Sequence, residues 1–167
     1  TAILRRLFAP IAKTLAGKIF TMFATSIDSM NKERTTMPSA PIRYTIRPSR
    51  PAAHRFEVTC CVDLPDPVGQ RFALPAWIPG SYLIRDFARH IIAIRAECAG
   101  KTVCLRKTDK HTWQAVALKK AAPLTVTCEI YAWDLSVRGA HLDETHAFFN
   151  GTSVFLRVLG QEESPCL

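Results

Sequence analysis

The segment Phe56-Glu-Val-Thr-Cys-Cys-Val62 decides the fold class, because apolar and polar side chains alternate along most of it. Apolar side chains at every second position are typical of a β-strand with one buried face. The same period of two recurs in residues 42–46, 92–96, 103–105, 124–130 and 154–158. Repeated short strands separated by turn residues predict a mainly β fold, an antiparallel β-sandwich or saddle-like accessory domain. Within this region, only residues 82–91 are expected to contain a helical turn.

Residues 1–40 are predicted to be a leader that is separate from a β domain at residues 41–167. Apolar side chains recur at helical spacing in residues 3–23, with basic side chains among them, and no acidic residue occurs before Asp28. This pattern predicts a short amphipathic helix. One interpretation is an organelle transit segment. The alternative is a non-native extension that precedes a true start at Met30 or Met37.

The net charge of +8 does not indicate a nucleic-acid partner. Residues 1–36 hold six basic and two acidic side chains and so supply +4, and the other basic residues are scattered along the chain. A nucleic-acid-binding domain usually gathers its basic side chains in one stripe. The sequence contains no run of about 18 apolar residues, so it predicts no transmembrane helix. Six cysteines without a CxxC pair are typical of reduced thiols, so we expect a cytoplasmic protein, or an organellar one if residues 1–36 are native.

Motifs for several kinds of catalysis are missing from the 167 residues. The sequence contains no HExxH, GxSxG, P-loop or GxGxxG motif. The densest group of potential metal ligands is His141-Leu-Asp-Glu-Thr-His146. On an extended chain, His141 and Asp143 would lie on one face and Glu144 and His146 on the other, so the ligands do not converge without a special loop. Hydrogen-bonded loop residues are therefore favoured over a metal site. Hydrolysis through His141 or His146 is kept as a minor alternative.

Two segments are richer in functional side chains than folding requires. The first, residues 74–90, is called the proline loop here, and its prolines and glycine impose a fixed path beside large aromatic side chains. The second, residues 131–153, is called the aromatic segment; it combines aromatic, acidic and imidazole groups, as recognition surfaces do. A tightly packed strand–loop corner, with a turn at Asn150-Gly151, would explain the second segment equally well. The proline-loop candidates for docking or fold stabilisation are Trp77, Pro79, Gly80, Tyr82, Arg85 and Asp86.

Residues 77–90, 131–141 and 146–156 resemble the N-terminal domain of the glycyl aminopeptidase family of zinc metallopeptidases. The resemblance extends from about Ile42 to Cys166, although Ala147 stands where the family pattern has glycine. It implies a β domain that packs on a thermolysin-like catalytic domain, which is followed by a PDZ domain. The family removes N-terminal Gly or Ala with one zinc ion, held by HExxH and a downstream glutamate. Because this chain lacks those ligands, the resemblance implies an accessory role, with no cofactor of its own and zinc in the catalytic domain.

The resemblance also leads to a hypothesis for the aromatic segment, namely that it forms part of the rim of the substrate cleft. Acidic side chains near the cleft would attract the free α-ammonium of a peptide substrate, and Asn150 could bind a peptide carbonyl. The rim candidates are Asp134, His141, Asp143, Glu144, His146 and Asn150. We also expect a closing strand beyond Leu167, which would make this chain a truncated aminopeptidase. The alternative is a stand-alone β-sandwich binding or scaffold module.

Overall fold

The computed structural model describes residues 40–167, so the predicted leader helix lies outside the described residues. The short helical elements are 3-10 turns at Pro51–Ala53 and Phe87–His90 and one α-helical turn, α1, at Gly151–Val154. The strands are β1 (Arg43–Arg50), β2 (Arg55–Val62), β3 (Arg71–Ala73), β4 (Ile91–Cys98), β5 (Lys101–Val103), β6 (Leu105–Lys107), β7 (Thr112–Ala115), β8 (Leu124–Tyr131), β9 (Ala140–Leu142), β10 (Ala147–Phe149) and β11 (Arg157–Val158).

The strands form three antiparallel sheets. The largest has five strands in the order β1-β2-β8-β4-β5, and the next has four in the order β11-β3-β7-β6. Strands β9 and β10 form the third sheet, which lies in the aromatic segment. The predicted mainly antiparallel β fold is therefore confirmed.

The pairing of β2 with β8 shows why the alternating pattern produces a sheet with one buried face. Phe56 lies opposite Ile130 and Val58 lies opposite Cys128, and all four side chains are buried. On the other face, Glu57 accepts from Arg47 at 2.6 Å on β1 and from Arg95 at 3.1 Å on β4. Since cross-strand neighbours on one face interact directly, the apolar face packs inward and the charged face stays at the surface.

The four-stranded sheet contributes its apolar side chains to the same core. Phe72 on β3 lies between Val158 of β11 and Trp113 of β7, and all three side chains are buried. They belong to one hydrophobic cluster with the buried residues of β2, β4 and β8. The two larger sheets are thus held together by a shared apolar interior.

The helical turns differ in part from the sequence-based prediction. The turn expected in residues 82–91 is present at Phe87–His90, but the turns at Pro51–Ala53 and α1 were not predicted. The expected strand from Val154 is wrong: Val154 ends α1, and β11 begins only at Arg157. The cause is an N-cap, since the Oδ1 atom of Asn150 accepts a hydrogen bond from the Thr152 N–H at 3.0 Å. No helix within residues 40–167 has the length and apolar character needed to cross a membrane.

Two of the core cysteines are expected to resist alkylation. Burial raises the pKa of the Cys60 and Cys128 thiols to about 12, whereas Cys104 and Cys166 are exposed. Because the thiolate is the nucleophile, iodoacetamide at neutral pH should modify the exposed pair and spare the buried pair. Peptide mass spectrometry measures the four sites separately. If Cys60 and Cys128 were labelled equally before and after unfolding in urea, their burial in the core would be contradicted.

Candidate functional site

The aromatic segment is organised around β9. On one side, the Leu142 N–H donates to the Ala132 carbonyl at 2.9 Å and the Asp134 N–H donates to the Ala140 carbonyl at 3.0 Å. On the other side, β9 pairs with β10. Residues 132–134, β9 and β10 therefore run side by side, and the polar side chains of the segment project from an ordered framework.

Asp143 organises the turn that connects β9 with β10. Its Oδ1 atom accepts hydrogen bonds from the Thr145 N–H and hydroxyl, both at 2.7 Å, and from the His146 N–H at 2.6 Å. Its Oδ2 atom accepts from His141 Nε2 at 3.1 Å. The Thr145 hydroxyl, followed by the other donors, holds the pKa of the Asp143 carboxyl well below its usual range. Asp143 thus remains ionised at neutral pH and acts as the acceptor that closes the turn.

This turn corrects the sequence-based prediction about the faces of residues 141–146. On an extended chain, His146 would point away from Asp143, but the structure brings both histidines to its carboxylate. The His146 Nδ1 atom lies 2.7 Å from the Thr145 hydroxyl, which itself donates to Asp143. The extended geometry does not apply here because Asp and Thr side chains bond to nearby backbone groups and bend the chain into a hydrogen-bonded loop.

A row of four rings lies beside this turn, and we call it the aromatic row. The centroids of His54 and Trp133 are 3.8 Å apart, those of Trp133 and His141 are 4.8 Å apart, and those of His141 and Phe148 are 5.8 Å apart. The His54 Nδ1 atom donates to the Leu142 carbonyl oxygen at 2.7 Å, which fixes one end of the row. His141 is buried within it and its Nδ1 atom has no hydrogen-bond partner among the described residues. Trp133 stays half exposed, so part of its apolar ring system is open to solvent.

Asp134 and Asn150 lie at the other end of the aromatic segment. The Asp134 Oδ1 atom accepts from the Ser136 N–H at 2.8 Å, and its carboxylate packs so closely on Gly139 that a Cβ there would collide with it. The Asn150 N–H donates to the Gly139 carbonyl at 2.8 Å. With its Oδ1 atom capping α1, Asn150 retains an NH₂ group that has no partner within residues 40–167. That group can still donate to a carbonyl of a bound molecule.

Glu144 differs from the other carboxylates of the segment. It is exposed at the tip of the turn, and no hydrogen bond or ion pair in the described part of the chain involves its side chain. Asp143, by contrast, uses both of its oxygens within the turn. Glu144 is therefore the rim candidate whose negative charge is most available to a cation outside the domain.

The structure also shows functional candidates that the sequence did not reveal. His54 is 88 residues from its partner Leu142, and no local signal connects them. Phe148 and Phe149 are adjacent, yet both are exposed, at 37% and 40%. Two neighbouring aromatic residues on a strand point to opposite faces, so one of them would ordinarily be buried. The sequence shows the Phe-Phe pair, but only the structure shows that both side chains are exposed.

The proline loop exposes several of its large apolar side chains. Its path is fixed where Trp77 Nε1 donates to the Ser81 carbonyl at 2.6 Å and the Arg85 N–H donates to the Ala76 carbonyl at 2.7 Å. Gly80 occupies the turn with a φ of +77°, and Tyr82 is fully exposed. The other exposed members of the loop are Trp77, Pro79, Leu83, Ile84, Asp86 and Arg89. Between residues 40 and 167, no ion pair joins Arg85 to Asp86.

The two candidate segments meet at a small cavity of about 10 Å³. Phe87 and His90 line it from the proline loop, and Asp134, Gly139 and Ser153 are among the residues that line it from the aromatic segment. A volume of this size admits about one water molecule. The contact places the proline loop and the aromatic segment side by side on the domain.

The described residues offer no arrangement suited to a metal ion. No group of three or more His, Cys, Asp or Glu side chains within residues 40–167 has the geometry of a metal site. The His141 Nε2–H is directed at Asp143, whose oxygens already accept four hydrogen bonds. This cluster therefore holds a turn together, and its side chains do not converge on one point as the ligands of a zinc ion do.

Comparison with known proteins identifies the family. Residues 43–167 match the model of the peptidase M61 N-terminal domain. The chain is also similar to the crystal structure of an aminopeptidase N family protein from Idiomarina loihiensis, with 45% identity and a TM-score of 0.71. This similarity covers 75% of the chain but only 21% of that protein, so the chain spans about a fifth of the relative's length. No curated protein matches the chain. The chain belongs to the peptidase M61 N-terminal domain family.

Proposed function

We propose that this domain is the non-catalytic N-terminal domain of a zinc aminopeptidase that removes Gly or Ala from the amino terminus of peptides. It packs on the catalytic domain of the same polypeptide, which is followed by a PDZ domain, and its aromatic segment shapes the rim of the substrate cleft. The zinc belongs to the catalytic domain, since this chain contains no HExxH and its His141–Asp143 cluster is committed to a turn. Six free thiols suit a cytoplasmic location.

The observation that carries the proposal is an exposed apolar surface on an ordered framework. Trp133, Leu135 and Val137 are exposed in the aromatic segment, and Phe148 and Phe149 are exposed on β10. Exposed apolar patches of this kind usually mark an interaction site. The proline loop, in which Tyr82, Leu83 and Ile84 are exposed, supports a second contact, which we assign to docking on the catalytic domain.

Charge supports the assignment of the rim to substrate amines. Glu144 has no partner among the described residues, and Asp143 is held ionised beside it. Two carboxylates at the tip of one turn produce a local negative potential although the chain as a whole is basic. An aminopeptidase must attract a free α-ammonium, and this potential favours that group over an acetylated amino terminus.

Replacing Asp143 with alanine in the full-length protein is expected to raise KM for free-amine peptides by about threefold to tenfold, the range set by one or two hydrogen bonds. The variant loses the acceptor for Thr145 and His146, so the turn that presents Glu144 loosens. We expect kcat to change little, because Asp143 does not touch the reacting atoms. Steady-state kinetics with a Gly-initiated peptide measures both constants.

The matched control is Asp143→Asn, which keeps an Oδ1 acceptor for the Thr145 and His146 N–H groups but removes the negative charge. It should restore the part of the loss in KM that comes from the loosened turn and leave the part that comes from the missing charge. An unchanged KM for Asp143→Ala, in a protein whose thermal unfolding is also unchanged, would contradict the rim assignment. The locus supplies a separate test of the larger proposal. A reading frame that continues past Leu167 to HExxH supports it, whereas a stop codon there supports the stand-alone binding module.

A further inference from the structure

Strand β10 has one paired edge and one free edge. On the paired side, the Asp143 N–H donates to the His146 carbonyl at 2.9 Å and the Asn150 N–H donates to the Gly139 carbonyl at 2.8 Å. Residue pairs along an antiparallel ladder are alternately hydrogen-bonded and not hydrogen-bonded. Since the pairs 143 with 146 and 139 with 150 are hydrogen-bonded, the pair midway between them, Phe148 with His141, is hydrogen-bonded as well. The backbone N–H and C=O groups of Ala147 and Phe149 must then point away from β9.

Nothing in the described part of the chain covers that outer edge. No hydrogen bond within residues 40–167 involves the outward N–H or C=O groups of Ala147 and Phe149. All three residues of β10 are exposed. The edge therefore offers two donors and two acceptors in the spacing of an extended polypeptide.

Strand β10 also lacks the charged and proline residues that the other sheet edges carry. The remaining edge strands carry charge or proline: Pro48 and three arginines on β1, Lys101 on β5, Arg106 and Lys107 on β6, and Arg157 on β11. Such residues prevent unwanted strand pairing. Strand β10, with the sequence Ala-Phe-Phe, has none of them. An apolar edge without charge or proline, among edges that carry them, favours a role for strand pairing at β10.

We propose that the outer edge of β10 binds the substrate peptide by strand addition. This inference rests on the proposed function, because it takes the extended peptide of an aminopeptidase as the occupant. Strand addition needs a partner with alternating backbone donors and acceptors, and an extended peptide has them. Neither a membrane nor a small metabolite presents that repeat.

Charge defines the direction of the bound peptide. The turn that precedes β10 carries Asp143 and the exposed Glu144, and Asn150 with its free NH₂ group follows β10. A peptide that runs parallel to β10 brings its free α-ammonium to the acidic end and a carbonyl to Asn150. The rings of Phe148 and Phe149 keep the strand in place, since Phe148 stacks on His141 and Phe149 packs edge-on against Phe56 and Phe155.

The test uses the full-length protein with Ala147→Pro and Ala147→Ser. Proline removes the outward N–H of residue 147 and leaves the β9–β10 hydrogen bonds, which do not involve that group, whereas serine keeps the N–H on an equally exposed site. Two substrates are compared: a free-amine hexapeptide and glycyl p-nitroanilide, which has no further backbone to pair. We expect Ala147→Pro to raise KM for the hexapeptide by about threefold to tenfold and to leave KM for the anilide unchanged, with Ala147→Ser like the wild type.

Amide hydrogen exchange on the wild-type protein tests the edge without a substitution. The Ala147 and Phe149 amides should exchange fast in the free protein and slow down when a hexapeptide is added. Protection of these amides without peptide would show that another part of the polypeptide covers β10, and it would overturn the inference, as would an unchanged hexapeptide KM in a folded Ala147→Pro protein. If the wild type cleaves neither substrate, the proposed function fails, and the exchange measurement alone decides whether β10 binds peptide.

Discussion

Replacing Phe72 with alanine is expected to lower the free energy of unfolding by about 3–5 kcal/mol, the cost typical of deleting a large buried aromatic side chain. Phe72 is 0% exposed and lies at the centre of the four-stranded sheet, between Val158 and Trp113. Strands on both sides hold the backbone of β3, so the surroundings cannot collapse into the space that the ring leaves. The change removes apolar contacts from the core that the two larger sheets share.

Urea unfolding followed by tryptophan fluorescence measures this loss, because Trp113 is buried beside Phe72. The matched control is Val68→Ala, at a side chain that is 79% exposed, where we expect a change within about 0.5 kcal/mol. A loss below about 1.5 kcal/mol for Phe72→Ala would mean that the two sheets do not pack on each other as described.

Replacing Gly69 with alanine is expected to cost at least about 2 kcal/mol, from backbone strain and overpacking together. Gly69 has a φ of +142°, which side chains rarely adopt, and a Cβ there would lie 2.6 Å from the Ala115 carbonyl oxygen. That oxygen belongs to the backbone of β7, so relief requires a shift of the strand. The turn at Gly69 would have to open, and with it the hydrogen bond from the Gly69 N–H to the Asp66 carbonyl.

Gly100 offers a control that separates strain from collision. It has a φ of +72° at the turn between β4 and β5, but a Cβ there would meet nothing within 4 Å. Gly100→Ala should therefore cost about 1 kcal/mol, from strain alone. Thermal unfolding of the two variants compares them directly, and equal losses would show that the contact between residue 69 and β7 is not as close as described.

The long strands were predictable because their signal is local. Alternation in β2 and β8 needs only the residues of each strand, and the structure places those apolar side chains on one buried face. The three-residue strands β9 and β10 and the turn α1 were not predicted, since elements this short have too few residues to show a period. What stabilises them is the neighbouring chain and the Asn150 cap.

The candidate site was predictable in composition and not in arrangement. The composition of residues 131–153, with acidic, aromatic and imidazole groups, was sufficient to select the segment. The Asp143 side chain closes the turn by accepting hydrogen bonds from the N–H groups of Thr145 and His146, two and three residues further on. These local hydrogen bonds bend residues 141–146, which the sequence-based prediction treated as extended. The exposed carboxylate is Glu144, whereas Asp143, which the sequence made equally attractive, is occupied within the turn.

By itself, the sequence determined the antiparallel β class, the two unusual segments and the resemblance to a peptidase N-terminal domain, because these depend on side-chain order along the chain. Only the tertiary structure decided which groups meet. It placed His54 against Trp133, joined the proline loop to the aromatic segment, and left the outer edge of β10 uncovered by the described residues. Contacts between residues far apart in sequence form only when the strands of different sheets pack on one core, so no local pattern encodes them.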